Sequence, residues 1–471
     1  MKYNSLTLLI SAALVTLSAT AHASGYRFGS QSVAAQSTAD ANGAEAADAS
    51  TIFSNPAGLS RLEGTQISAG ATVVVPHSSY TDTGSTRFTG TPAGGTAAHG
   101  YAPDSVTAPS LYLSSKINAQ WSAGVGLFVP YGAKLDYGDT WTGRYALSNI
   151  KLEAVTLNPS VAFKLNEKHS FGFGVSAEYM KASLAQAVDV PGSVAALSAN
   201  PAVAAALLKQ IVALGGNPAA LAAVKDGHGA NDGHDWGYGF NLGYMFQLDP
   251  ATRFGLAYRS SISHQLEGST VWDFSHSTTD AVVNQVLAAN SHRANSAALV
   301  ALRTPETLSA NVFHQIDAKW DAMADLTWTR HSRMGDLHIQ FPGTTEGDEV
   351  IRQQWKNTYR LSVGGAYHYN DALTLRSGIS YDQSPVRSAE LTHPALPDAD
   401  RYQFSFGANY KLSPHSSIDL AYSYIDFKNA SLNYKNNCTP LTVGCTGNGE
   451  TTRGVVKTQV QLLGIAYNYL F

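Results

Sequence analysis

The chain has 471 residues, a formal net charge of −4, 44% hydrophobic residues and only 14% charged residues, against roughly 25% charged in an average soluble domain. A mean hydropathy of −0.12, with no apolar run of about 20 residues beyond the N-terminus, excludes a helical membrane bundle. An aromatic content of 10% argues against disorder, and a negative balance without a basic cluster argues against nucleic acid as a partner.

Residues 1–23 read as a signal peptide. Lys2 supplies the positive n-region, residues 6–17 the apolar core, and Ala21-His22-Ala23 a small-x-small cleavage site. The mature chain then starts at Ser24, in a compartment that permits disulfides. Residues 24–62 are small and polar, with few strand formers. They are long enough to fill a lumen as an N-terminal plug, or hatch.

From 63 to 471 the dominant pattern has period two. Trp236, Tyr238, Phe240, Leu242, Tyr244, Phe246 and Leu248 fall on one face of a strand, and Gly237, Gly239, Asn241, Gly243, Met245 and Gln247 on the other. The pattern recurs over 359–370, where Arg360 falls on the polar face, and again over 402–412 and 418–424. Such alternation gives strands with one apolar and one polar or small face. A soluble barrel turns the apolar face inward; a membrane barrel turns it outward and closes it with aromatic girdles. Segments of about ten residues or more suit a tilted crossing. Tyrosines repeatedly close the apolar rows, and the chain ends on Ile465, Tyr467, Tyr469 and Phe471. That ending resembles the sorting signal of bacterial outer-membrane barrels, which makes the barrel assembly machinery a partner in biogenesis.

The predicted strands run over approximately 64–76, 108–118, 120–130, 152–165, 169–186, 234–248, 252–268, 303–317, 319–334, 354–369, 371–385, 398–412, 415–429 and 454–471. The reading is all-β: a transmembrane antiparallel barrel of about 14 strands. Short connections, such as 166–168, 249–252 and 370–372, read as periplasmic turns, and the long ones as extracellular loops. Two long loops carry helical signals. In 187–233, Asn200-Pro201 is an N-cap followed by proline, Val203, Leu207, Ile211 and Leu214 share one face, and Gly215 ends the run. In 272–303, Val282, Val283, Val286 and Leu287 have similar character. Two arrangements account for apolar helices in exposed loops. Either the loops pack on each other, or their facing surfaces (Val203, Leu207, Ile211 and Leu214 against Val283 and Leu287) leave an outer apolar groove for a ligand.

No nucleotide-binding, hydrolase-elbow or zinc-protease motif occurs, so no catalytic residue, cofactor or metal is assigned. The one His/Asp cluster, His228, Asp232, His234 and Asp235, reads as a solvated loop; a lipid hydrolase would use His228 or His234. Cys438 and Cys445, close together in a secreted chain, predict a small loop disulfide. A closed barrel has no edge to pair, so a monomer is expected.

Several motifs, in order along the mature chain, resemble the FadL family of outer-membrane long-chain fatty acid transporters. They are Ser24-Gly25-Tyr26-Arg27-Phe28, Gly43-Ala44-Glu45-Ala46-Ala47-Asp48-Ala49, Asn55-Pro56-Ala57-Gly58-Leu59, Trp236-Gly237-Tyr238-Gly239, Leu256-Ala257-Tyr258-Arg259-Ser260, Thr358-Tyr359-Arg360-Leu361, Asp382-Gln383-Ser384-Pro385-Val386 and Pro397-Asp398-Ala399-Asp400-Arg401. The resemblance implies a fourteen-stranded barrel with a hatch, passive uptake of a long-chain fatty acid, and sideways exit into outer-membrane lipid at a kinked third strand. It places the kink at Pro130 and Gly132, with Asn55, Pro56 and Ala57 docked against it. It puts Tyr26 and Phe28 at an inner pocket, although the family usually has Phe at the position of Tyr26. Lys181 and Arg352 become the cations for a carboxylate, while a further family cation falls near Gln186. Relatives of the same architecture serve neutral aromatic hydrocarbons or alkanes, and an adhesive or phage-binding role for the loops is compatible with either.

Overall fold

The computed structural model describes residues 27–98, 106–438, 440–442 and 444–471; the segment 1–23 predicted to be a signal peptide and Tyr26 lie outside them. The period-two segments form a closed antiparallel barrel of fourteen staves. In chain order these are β1 Thr65–Asp82, β2 Val106–Lys116, β3 Trp121–Asp136, β4 Asn149–Lys164, β5 His169–Val188 and β6 Gly227–Gln247. Next come β7 (Thr252–Arg259 and Ser263–Asp273), β8 (Ser296–Arg303 and Thr307–Gln315), β9 (Trp320–Thr329 and Leu337–Gln340) and β10 (Glu349–Ile351 and Thr358–His368). The last are β11 Leu373–Asp382, β12 Arg401–Ser413, β13 (Ser416–Phe427 and Ala430–Lys435) and β14 Thr451–Leu470. β14 pairs with β1 from Gln66 opposite Leu470 to Asp82 opposite Gly454, which closes the wall.

Alternation sorts the two faces. Leu157, Phe173, Leu242, Leu256, Leu361, Leu420 and Leu463 stand exposed on the outside, while Asn158, Ser160, Asn241, Asn311, Ser362, Ser405 and Asp419 are buried inside. An apolar exterior over a polar interior is the membrane arrangement. Aromatic contacts mark the rim with short turns, at Trp121 with Phe163, Trp320 with Tyr367, and Tyr469 with Phe471. A second belt lies toward the long loops, where Trp328 pairs with Leu308 and Tyr359, and Tyr381 with Tyr402. Several strands run further toward the long loops than alternation predicts: β5 reaches Val188 and β6 begins at Gly227. Beyond the lipid the outer face no longer has to be apolar, so the pattern fades while the ladder continues. The His/Asp cluster therefore sits on this extension of β6, not in a loop. Asp232 accepts a hydrogen bond from Ser269 Oγ (2.8 Å), and Asp235 accepts the Gln265 N–H (2.9 Å).

The long loops fold into a cap. Helices α3 Val190–Ser198 and α4 Pro201–Ala213 follow β5, and α5 Ala281–Asn290 lies between β7 and β8. Asn200 caps α4 by accepting from the N–H groups of Ala202 and Val203, and Gly215 takes the left-handed conformation (φ +86°) just beyond it. Cys438 and Cys445 form a disulfide in the loop before β14, with Cα atoms 5.4 Å apart.

Candidate functional site

Residues 27–62 lie inside the barrel. They form α1 Val33–Ser37, α2 Thr51–Ser54 and a 3-10 turn Pro56–Arg61. Asn55 Oδ1 caps that turn through the Ala57 N–H (3.1 Å). Inward-facing glycines let the segment lie on the wall. A Cβ at Gly172 or Gly243 would fall within 2.7 Å of Pro56 or Ala57 backbone atoms, and one at Gly378 within 2.3 Å of Thr38 backbone. Buried ion pairs fix it further: Arg360 holds Asp40 (2.7 Å), and Arg376 grips both oxygens of Glu45 (3.1 and 2.8 Å).

The wall is incomplete beside β3. β2 and β3 pair only as far as Leu111 opposite Leu127. Beyond that, β2 pairs with β1 alone and β3 with β4 alone, and the β3–β4 register shifts between Phe128 and Tyr131. The N-terminal segment occupies the resulting edge. Phe28 donates its N–H to Pro130 O (2.9 Å). The Gln31 amide accepts from Val129 N–H (3.0 Å) and donates to Val129 O (2.8 Å). Its carbonyl accepts the Tyr112 hydroxyl of β2 (2.8 Å). Gln31 thus bridges two strands that do not bond to each other at this level.

Next to this edge is a cavity of about 220 Å³, roughly the volume of seven liquid waters. One wall is charged, with Arg27, Arg360 and Arg401 against Asp40 and Asp382. The other is apolar, with Val74, Ile425, Phe427, Val460 and Leu462, and Phe28 and Gly132 also line it. Arg401 holds Asp382 at 2.8 Å and lies 3.9 Å from Asp398, and Asp325 lies in the adjoining space with Arg27 and Arg360. Above the cavity, Tyr131 reaches across the lumen toward Pro305 O (3.4 Å) and joins Leu152, Met334 and Trp355 in a buried apolar layer. Above that layer, a smaller cavity of about 80 Å³ is lined mainly by Ile150, Leu152, Leu184, Leu266, Leu302 and Ile339.

The family model for outer membrane transport proteins of the OMPP1/FadL/TodX type matches residues 14–471. The chain belongs to the FadL/TodX family. It is 36% identical to a Neisseria meningitidis serogroup B protein named only for an outer-membrane location, over 96% of each chain. It is 26% identical to the long-chain fatty acid transport protein of Escherichia coli K12, over 83% of this chain and 85% of that one. Among solved structures, a Pseudomonas aeruginosa FadL homologue superposes with a TM-score of 0.79 at 23% identity, covering 95% of this chain and all of that one. The toluene transporter TodX of Pseudomonas putida superposes at 0.66 with 18% identity, covering 95% and 99%. The protein is thus an outer-membrane transport protein, and the activity of its family is the passage of hydrophobic ligands through a FadL/TodX-type channel.

Within this FadL/TodX barrel the residues singled out in the sequence separate. Phe28 and Gly132 line the larger cavity. The irregularity of β3 falls at Val129 and Pro130, and Gly132 is already back in register opposite Glu153. Asn55, Pro56 and Ala57 do not dock on that kink. Asn55 Nδ2 donates to Tyr244 O on β6 (3.1 Å), and the turn seats over Gly172 and Gly243. Lys181 is exposed on the outer face, opposite Glu153 and His234. It lies one residue from the buried Met180, so strand parity turns it away from the lumen. Arg352 lies in the interruption of β10, donates to Lys435 O (2.8 Å) and covers the Tyr434 ring (5.7 Å); it does not reach either cavity. In the cap, Leu207, Ile211, Val283 and Leu287 are buried in one cluster with Trp272 and Phe341, while Val203 and Leu214 of the predicted groove stay exposed. The two loops therefore pack on each other at these residues, because burial of facing apolar helices is the cheaper solution in water.

Sequence reasoning missed Gln31, Arg27 and Arg401 as cavity or edge residues. Arg360 falls on the polar face of its strand, and that parity was the available signal for the lumenal arginines. Gln31 had none, since its role depends on which strands fail to pair.

Proposed function

We propose that this protein carries long-chain fatty acids passively inward across the outer membrane. The chain loses residues 1–23 as a signal peptide, residues 24–62 serve as the hatch, and a monomer is the working unit. Ligand passes the cap, crosses the apolar layer at Tyr131 and rests in the larger cavity. Its carboxylate faces Arg27, Arg360 and Arg401, and the chain lies along Val74, Ile425, Val460 and Leu462. Exit is sideways past Gly132 into the bilayer, which spares the chain re-exposure to water. The observation that carries this reading is one cavity that combines clustered guanidinium groups, an apolar wall and contact with the unpaired edge of β3.

The test is radiolabelled oleate uptake by a transporter-deficient Gram-negative host, with surface assembly checked. The wild-type chain should restore uptake. Arg27→Gln should reduce it about tenfold or more, because one charge-assisted contact contributes about 1.5–3 kcal/mol. A Cβ at Gly132 meets only Leu152 O, at 3.8 Å, so Gly132→Trp should assemble and yet obstruct the exit. Uptake unchanged in both variants would remove the cavity and the side exit from the proposal. The small upper cavity, lined almost entirely by aliphatic side chains, supports a second reading, uptake of neutral hydrocarbons. Toluene uptake without oleate uptake, indifferent to Arg27, would establish it.

A further inference from the structure

The outer wall carries a feature that the uptake reading does not use. Where β8 and β9 leave the apolar band, Leu308 faces outward between Tyr258 and Trp328, its partners in register on β7 and β9. Two residues before Leu308, in the break between the two parts of β8, Glu306 shares the parity of Leu308, yet it is buried. It is covered by two arginines from the turn that interrupts β9. Arg330 Nη1 lies 2.9 Å from Glu306 Oε1 and Arg333 Nε 3.5 Å from Oε2. The 3-10 turn His331–Arg333 separates the two arginines, and the buried ring of His331, 5.9 Å from the Trp355 ring, anchors it on the lumenal side. The side chains of Arg330 and Arg333 stay 41% and 35% exposed. Arg303, which ends the first part of β8 three residues before Glu306, is exposed as well and donates to Ser263 Oγ (2.9 Å).

Two guanidiniums on one carboxylate leave a net positive charge; the carboxylate holds the Arg330 fork by a hydrogen bond, and Arg333 Nε, at 3.5 Å, is buried without a hydrogen-bond partner among the described residues. Their free N–H groups face outward just above an aromatic belt, the level at which Trp and Tyr meet lipid headgroups. Planar, pre-oriented donors are the chemistry that binds a phosphate monoester. A lone surface ion pair would need only one arginine and would leave its carboxylate accessible.

We propose that the outward face of β8 and β9 above the aromatic belt binds a phosphorylated lipid of the outer leaflet. Arg330 and Arg333 hold its phosphate, and Tyr258, Leu308 and Trp328 lie beside its acyl chain. The site faces the bilayer, is separate from the lumenal cavity, and does not depend on the fatty acid reading.

The test uses the full-length protein in detergent micelles, with folding verified by heat-modifiable migration. Labelled bisphosphorylated lipid A is the probe, and dephosphorylated lipid A and inorganic phosphate are the comparisons. The expected result is saturable binding of the bisphosphorylated form, weakened at least tenfold in Arg330→Gln/Arg333→Gln. Binding should be partly kept in Arg330→Lys/Arg333→Lys and unchanged in Lys181→Gln, which removes an outward cation elsewhere. Equal binding of dephosphorylated lipid A, or wild-type affinity in the double glutamine variant, overturns the proposal. Complete displacement of lipid by millimolar inorganic phosphate also overturns it, and reassigns the arginines to a free anion.

Discussion

Gln31 does with one side chain what a strand does with its backbone. Its amide oxygen and nitrogen meet the N–H and C=O of Val129, and its carbonyl takes the Tyr112 hydroxyl from the neighbouring strand. Replacing it with leucine would leave two partly buried peptide groups without this partner, at up to about 1–3 kcal/mol each. We expect Gln31→Leu to raise amide exchange at Val129 and Tyr131 at least tenfold in bilayer nanodiscs, with the rest of β3 unchanged. Unaltered exchange would mean that the Phe28–Pro130 bond alone holds the edge. A second residue predicts a pH response in the cap. Burial pushes the Glu450 carboxyl up to about 8, and neighbouring Glu349 and Asp189 add to the shift. A carboxyl raised in the folded state binds more protons there than in the unfolded chain. Its contribution is full below about pH 4.5, the ordinary value, and is lost as pH rises through about 8. Thermal unfolding should therefore show wild-type stability falling between pH 5 and 8.5, with a shallower fall in Glu450→Gln. Parallel profiles would show that Glu450 has the same proton affinity in both states.

Among the elements, the strands were legible and their joints were not. Alternation located fourteen segments because a lipid-facing wall imposes period two on every strand it touches. The Asn200–Pro201 and Gly215 signals located α4 for an equally local reason. Whether α4 and α5 would enclose a groove or each other is decided by tertiary packing, and the same helix faces are compatible with both. Lys181 shows a different failure: resemblance to the family puts it at a pocket, while simple parity with Met180 turns it outward. Arg352 was misplaced because β10 is interrupted just after Ile351, which no pattern in the sequence announces. The inward glycines were visible as a small face, but their purpose required the segment that lies on them. A side chain at Gly243 would sit 2.2 Å from Asn55 Oδ1 and 2.7 Å from Ala57 N. Gly243→Val should fold as a barrel but unseat the Asn55–Ala57 turn, so that limited proteolysis cuts within residues 27–62. Resistance equal to wild type would show that the ion pairs at Asp40 and Glu45 are sufficient to hold the segment.

At the scale of the whole molecule, a barrel of fourteen staves encloses far more width than one acyl chain needs. The structure fills that width twice. The N-terminal segment blocks it with polar contacts and buried ion pairs on the side of the short turns, and stacked apolar layers block it on the side of the long loops. The two fillings exclude different things, since water and ions do not cross the apolar layers and greasy molecules find no continuous path through the polar one. A cell can therefore insert many copies without surrendering the permeability barrier of its envelope. Antibiotics and salts should find these barrels closed, and on the proposed reading the unpaired edge beside β3 opens toward lipid and not toward the periplasmic solution.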